Sequence, residues 1–504
     1  MYKFLFALLI SMFSYKGRSQ ILPAEGSKLN YRLIGFSFPG EMGGSYTLQI
    51  ASGNYNSTDS FSKNIVLIRK TKQSRLVVEV PSFGREYSWR VVSNDITAVN
   101  PGFHHFSTGT LPSGDTNIVR LKILKKAEKY KDAYVFLDGT KTLYDMNGKP
   151  VWYLPDIRGV GTRPRDLKMT QQKTITFLLD NCAYEISYNG AVLWTTPVPD
   201  VSRKNLGGGY HHEFTRLASG NYMVLGKKQV QWELPATIDS KVLNAPGEII
   251  VRDSAQNKYY QKIELGTVLE YDRKGNLIWS WDPSEYLKGS DLYLRRTDEG
   301  LFDLDVHENS FFFDDASRTL LLSLRDVSRV LKIKYPEGTV TAAYGGTYKK
   351  DTREVESPLF CYQHSCKQSR EGYLYLYNNN GCHLNQCPKL IMMKETGGGN
   401  TSLKKVWEYE CNVAGMRERN PLHSIFTSGG NVIELPDGSM FASMSVKYGN
   451  LLIVGRNKRL LWNAISERWS PTEKKWTVDA NYRASIILSR KDLEDLIWND
   501  RKDQ

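Results

Sequence analysis

The chain has 504 residues and carries 67 Lys and Arg against 54 Asp and Glu, a formal charge of +13. That length fits two or three domains, or one large all-β unit with an attachment, and 40% hydrophobic and 12% aromatic residues exclude a disordered or collagen-like chain. The cations are spread along the chain with no basic run, zinc-finger spacing or RNP signature, which argues against a nucleic-acid partner and fits a small anionic substrate as well.

Met1-Tyr2-Lys3, the apolar run 4–13 and the small residues up to Gln20 predict a signal peptide over residues 1–19. The run is too short to span a bilayer, no later stretch is long enough, and no Cys follows to take a lipid. The expectation is a periplasmic or secreted protein with no membrane span. Six cysteines, Cys182, Cys361, Cys366, Cys382, Cys387 and Cys411, suit an oxidising compartment. Cys361/Cys366 and Cys382/Cys387 form two C-x4-C pairs with His364 and His383 interleaved, and that spacing favours disulfides over a zinc site.

Residues 26–112 alternate apolar and polar positions in short runs such as Tyr46–Ile50 and Leu76–Val80, the pattern of a small β-sandwich. Tyr87–Val92 and Phe106–Pro112 resemble the last strands and exit of a fibronectin type III domain, and Pro112–Asp115 reads as a linker.

From residue 119 to 488 a repeat sets the fold. Tyr144–Trp152 is echoed by Tyr188–Trp194 and Tyr271–Trp279, by Gly338–Tyr344, by Lys404–Trp407 and by Gly455–Trp462, each a strand, a turn and a strand ending on an aromatic. A second hairpin type alternates with it at Leu217–Leu225, Glu371–Tyr377 and Leu435–Ser443. Two alternating hairpins make four-stranded units, so the predicted fold is all-β, a six-bladed β-propeller following the small N-terminal β-sandwich. A helical tail is expected over 489–504, with its best signal at Arg490–Trp498.

Of eight histidines, four fall alike just ahead of strands of the second repeat: His211-His212, His307, His364 and His423. Residues that start the inner strand of a blade face a central channel, so these imidazoles converge. Converging imidazoles serve as metal ligands, as acid and base, or as a nucleophile. Asp305 and Glu308 are available for a metal, but Arg325 at the end of Leu321–Arg325 suits an oxygen-rich anion such as sulfate or phosphate better.

On the His211-His212 strand start with its Ser219-Gly220-Asn221 turn, the His307-x-Asn309 and Arg325 pair, and Gln363-His364 before the Leu374 strand, the chain resembles the bacterial arylsulfate sulfotransferases. The resemblance covers most of the chain after residue 119. It implies transfer of a sulfuryl group from a phenolic sulfate donor to a phenol acceptor without a nucleotide sulfate donor or other cofactor, by a ping-pong route through a sulfohistidine. It implies His364 as nucleophile, His307, Asn309 and Arg325 holding the sulfuryl oxygens, His212 beside them with His211 as the alternative, and no metal. It also implies a homodimer and a disulfide near the site. Cys361 and Cys366 bracket His364, and a bridge between them would close a tight loop. His383 reads as part of a disulfide-bonded loop, and His104 and His105 as surface residues. Two other readings stand beside this one, a non-catalytic propeller that binds sulfated or phenolic ligands and a His-ligated metal propeller such as a polysaccharide lyase.

Overall fold

The computed structural model describes residues 20–40, 43–94, 102–111, 118–157, 164–198, 209–233, 250–287, 295–296, 302–303, 306–345, 359–381, 387–397, 402–414, 429–444, 448–479 and 481–499. The apolar run 4–13, the linker residues Pro112–Asp115, and Asp305, Cys382, His383 and His423 lie outside them. The chain divides into two units, residues 1–110 and 111–504.

In the first unit the alternating runs form strands. Tyr46–Ser52 sits inside a five-stranded sheet with Ser27–Leu29, His104–Thr108, Glu86–Ser93 and Ile65–Thr71, and Leu33–Ser37 pairs with Arg75–Glu79. Phe36 meets Trp89 and Phe106 edge-on, at 5.1 and 6.0 Å between ring centroids. His104 and His105 are half-buried rather than on the surface, because Trp89 packs on His104 and Glu25 bonds His105 Nδ1 at 2.8 Å.

Among the described residues of the second unit the repeated hairpins become six antiparallel sheets of four or more strands. The first has Tyr134–Leu137, Thr142–Asp145 and Pro150–Tyr153, and the second runs from Arg165–Met169 to Val192–Thr195. The third starts at Tyr210–Arg216 and carries the long strands Tyr222–Glu233 and Lys258–Tyr271, with Leu277–Trp281 at its far edge. The fourth spans Glu308–Asp314 to Val340–Gly345 and the fifth His364–Gln368 to Ser402–Glu410. The sixth starts at Asn431–Glu434, and its long strand Leu460–Ser470 also pairs with Val119–Lys125. The first sheet takes its last strand, Ala484–Ile487, from the end of the chain, paired with Tyr134–Leu137. The predicted helix forms at Arg490–Asn499 and buries Leu493, Leu496 and Ile497, spaced for one helical face.

The turn-plus-Trp repeat has a physical reason. In three of the repeats the indole lies on an outer strand and reaches the turn of the next sheet. Trp152 Nε1 donates to the Tyr188 carbonyl at 2.7 Å, Trp279 to Pro336 at 2.8 Å and Trp407 to Arg456 at 2.8 Å. One residue therefore fills the apolar space between two sheets and also satisfies a turn carbonyl; fully burying such a ring contributes a few kcal/mol, at about 25 cal/mol per Å² of apolar area. Where the indole bond is missing, ring packing serves: Trp194 stacks on Tyr222 at 3.8 Å and on Phe214 at 5.8 Å in the third sheet. The turn glycine is equally constrained at Gly148, where φ is +83° and a Cβ would stand 2.2 Å from the Leu121 carbonyl oxygen.

Candidate active site

The first strands of successive sheets are laced to one another. Asp166 Oδ2 accepts from Phe214 N at 3.2 Å, joining the second sheet to the third, and Glu308 Oε2 accepts from Gly266 N at 2.7 Å, joining the fourth to the third. Cys366 N donates to Ser310 Oγ at 3.3 Å, and Ser365 Oγ to the Val432 carbonyl at 3.3 Å. Asn431 Nδ2 then donates to the Ala484 carbonyl at 2.7 Å, and Ser485 Oγ to that of Leu167 at 2.8 Å.

Four of these strands carry the same irregularity at their start. Register slips between Arg165 and Lys168, His211 and Phe214, Glu308 and Ser310, and His364 and Lys367. Beside each slip a residue other than glycine has positive φ: Asp166 at 59°, His212 at 59°, His307 at 55° and Ser365 at 54°. A bulge of this kind re-aims side chains and occurs preferentially next to active sites. The left-handed conformation costs an L-residue roughly 1–2 kcal/mol, which the lacing bonds offset.

The bulges bring together most of the histidines singled out in the sequence. The His212 ring meets His307 edge-on at 4.9 Å. His211 turns away: its Nε2 faces the Gly226 carbonyl at 3.0 Å and its Nδ1 stands 2.5 Å from His212 Nδ1, so it backs His212. His364 is buried. Its Nδ1 lies 2.9 Å from Asn379 Nδ2, which also donates to the Tyr362 carbonyl at 2.9 Å, and Gly429 N approaches its Nε2 at 3.3 Å. Arg325 is buried, paired with Asp326 at 2.5 Å, and lies over the Tyr362 ring at 5.0 Å. Its backbone N–H donates to the His307 carbonyl at 3.0 Å, which couples these two residues directly. Asn309 is fully buried and donates through Nδ2 to the Gln363 carbonyl at 2.7 Å, joining its strand to the one that starts at His364.

Two residues that the sequence reading missed complete the cluster. Tyr482 lies edge-on to His212 at 5.8 Å and to His364 at 6.2 Å. Arg483, next to it, is buried and donates to Glu213 at 2.6 Å, to Asp166 at 3.0 Å and to the Asn309 carbonyl at 2.6 Å. Lys168 closes the network on Asp166 at 2.5 Å and Glu213 at 2.9 Å. Both missed residues precede the inner strand of the first sheet, the place that histidines hold in the third, fourth and fifth.

The electrostatics follow from burial beside cations. Desolvation, then the charges of Arg325 and Arg483 and the neighbouring His307, hold the His364 imidazole well below its usual range. Desolvation, then His211 and His307, does the same to His212. Burial raises the Glu213 carboxyl, but Arg483 and Lys168 outweigh it and bring it to about 2. Asp138, whose Oδ2 accepts from the backbone of Asp166 and Arg483 at 3.2 Å each, is pushed up to about 8 by burial and then by Asp166. The site thus presents neutral imidazoles in a field set by guanidinium groups. Among the described residues, no three or more His, Cys, Asp or Glu are grouped to hold a metal ion.

The bridge between Cys361 and Cys366 does not form. Cys366 is a thiol buried in an apolar cluster with Leu374 and Ile391, and Cys387 and Cys411 are thiols packed with Trp407. These side chains point into the spaces between sheets, so neither C-x4-C pair closes locally. Cys182 is likewise a thiol.

The chain matches the arylsulfotransferase (ASST) family over residues 121–412, more than half its length, and belongs to that family. No curated protein matches it. Among solved structures it is similar to a protein of unknown function from Bacteroides caccae, with 13% identity over 70% of this chain and 98% of that one and a TM-score of 0.39. A putative 6-phosphogluconolactonase from Bacteroides fragilis shows 12% identity over 89% and 99% of the two chains, with a TM-score of 0.31. Membership of the family implies a small-molecule sulfate donor and a small-molecule acceptor.

Proposed function

We propose that this protein is an aryl-sulfate sulfotransferase that moves a sulfuryl group between phenols by a ping-pong route through His364. The observation that carries the reading is the convergence of His307 and the neutral His364 and His212 with the guanidinium groups of Arg325 and Arg483. Sulfuryl transfer, like phosphoryl transfer, spreads charge over equatorial oxygens, so fixed cationic donors supply most of the stabilisation. In this reading His364 Nε2 attacks sulfur, the bond from sulfur to the aryl oxygen breaks, and a phenolate departs. For that attack Nδ1 carries the imidazole proton, and the Asn379 amide packed beside it limits the ring's rotation. Arg325, His307 and Asn309 hold the sulfuryl oxygens, with His212 beside them. An acceptor phenol then takes the group from nitrogen.

The six sheets are read as the blades of a closed propeller, with Ala484–Ile487 completing the first blade, and the first unit as a β-sandwich. Export to the periplasm or beyond follows from the N-terminal apolar run, and Cys361, which is not among the free thiols, supplies the disulfide near the site. The homodimer rests on the family resemblance. The test is incubation with 4-methylumbelliferyl sulfate, with and without added phenol. Release of the fluorophore that depends on phenol supports the reading, and absence of turnover across a panel of phenols overturns it in favour of a ligand-binding propeller.

The reading also sets a pH dependence. His364 must be neutral to attack, and the folded protein keeps it neutral below the ordinary imidazole range, about 6.5. The acid limb of the kcat/KM profile is therefore expected below that value. Stability has the same sign: as pH falls through about 6.5 the unfolded chain takes up protons that buried His364 and His212 refuse, so unfolding becomes easier towards acid. An acid limb centred at or above 6.5 would contradict the neutral nucleophile.

A further inference from the structure

The ring of inner-strand starts contains one group to which the proposed reaction assigns no work. Tyr482 is flanked by His212 and His364, at 5.8 and 6.2 Å between ring centroids. Its hydroxyl oxygen is buried and has no hydrogen-bond partner among the described residues. Other tyrosine hydroxyls of this unit are satisfied by acidic groups: Tyr130 by Asp437, Tyr222 by Glu185 and Tyr335 by Glu270. A buried donor without a partner costs roughly 1–3 kcal/mol, so its retention beside the candidate nucleophile calls for a ligand that satisfies it.

The surroundings define what that ligand carries. Arg165 lies 5.0 Å from the Tyr482 ring centroid and Arg483 5.7 Å, and the charges of Arg483, Arg165 and Arg325 all act on the hydroxyl. Burial nevertheless pushes this phenol up, so it is protonated at neutral pH. The backbone is fixed on both sides. Gly430 N donates to the Tyr482 carbonyl at 2.9 Å, and Gly429 approaches so closely that a Cβ there would stand 2.8 Å from that oxygen. Asn481 Nδ2 donates to the Arg483 carbonyl at 2.7 Å. Tyr482 is thus a rigid O–H donor aimed at an oxygen that gains negative charge among guanidinium groups.

We propose that Tyr482 is a catalytic residue, the proton donor to the aryl oxygen that leaves sulfur and the proton acceptor for the phenol that attacks it. The proposal rests on the sulfuryl-transfer reading above. In the first half-reaction the His364 lone pair forms the N–S bond, the S–O(aryl) electron pair passes to the aryl oxygen, and the Tyr482 proton moves to that oxygen. The resulting tyrosinate is held by Arg165, Arg325 and Arg483. In the second half-reaction the acceptor oxygen forms the S–O bond, the N–S pair returns to His364, and the acceptor's proton passes to Tyr482, which restores the enzyme. A tyrosine suits the task because donor and acceptor are both phenols: proton transfer between groups of similar acidity needs little driving force in either direction.

The experiment compares the wild-type protein and Tyr482→Phe on a series of aryl sulfates whose phenols run from acidic (4-nitrophenol) to weakly acidic (4-methylphenol), following the single-turnover burst of phenol release. The expected result is a loss of about 10²-fold with 4-methylphenyl sulfate and little loss with 4-nitrophenyl sulfate, whose phenolate leaves without a proton. Fluorotyrosine placed at position 482, which keeps the ring and its packing, is expected to shift the pH dependence of the 4-methylphenyl reaction towards acid. An equal loss across the series, or no shift with fluorotyrosine, would show Tyr482 to be a packing residue and overturn the proposal. Absence of turnover by the wild-type protein would overturn the underlying reading as well, and so is distinguishable from the failure of Tyr482 alone.

Discussion

His364→Asn is expected to abolish acceptor-dependent release of phenol from aryl sulfates, by about 10³-fold or more, while the protein stays folded. In the proposed route His364 forms the covalent intermediate, so its removal takes away both steps, and nucleophile variants lose more than variants of supporting groups. Asparagine keeps polar atoms near Asn379 and the Gly429 N–H, which now contact the ring at 2.9 and 3.3 Å, so the buried pocket is not left without partners. The measurement is steady-state turnover of 4-methylumbelliferyl sulfate with phenol, beside a thermal unfolding curve for each protein. Turnover within tenfold of wild type would remove His364 from the chemistry, and loss of the cooperative unfolding transition would mark the effect as structural.

The second large effect concerns stability. Arg483→Met is expected to destabilise the protein by about 3–5 kcal/mol, because it leaves Asp166 and Glu213 buried with Lys168 as their nearest cation. It also removes the bond from the guanidinium to the Asn309 carbonyl, which fixes the strand that carries Asn309. Adding Glu213→Gln should return part of the loss, since the second change removes a charge that the first left uncompensated, and the pair of variants with their combination forms a double-mutant cycle. Urea denaturation of the four proteins measures the effect. A loss below about 1 kcal/mol, or strict additivity, would show that the network is not energetically coupled.

The parts of this architecture that the sequence made legible are local and periodic. The Tyr-turn-Trp hairpins could be read because several of the indoles solve the same problem, packing toward the next sheet and bonding its turn, as Trp152, Trp279 and Trp407 do. His212, His307 and His364 were legible for a related reason, since each stands at the same point of a repeated hairpin. Tyr482 and Arg483 were not, although they occupy the equivalent point. The strand that follows them, Ala484–Ile487, pairs with Tyr134–Leu137 from the other end of the unit, and no local repeat surrounds it. The local pairing of the C-x4-C cysteines failed because spacing says which cysteines are near along the chain but not which way they point, and Cys366 and Cys387 point into apolar packing.

The sequence by itself determined the β-rich repeat architecture, the family, and the type of side chain available for chemistry, because strand periodicity, turn glycines and packing rings are short-range properties of the chain. Only the tertiary structure decided which of two adjacent histidines faces the site, that a tyrosine and an arginine just before the last strand join it, and that His364 stays neutral. Those outcomes depend on bulges at Asp166, His212, His307 and Ser365 and on charges from residues far apart in the chain. A bulge reverses the face a side chain presents, and an electrostatic field sums over distance in space.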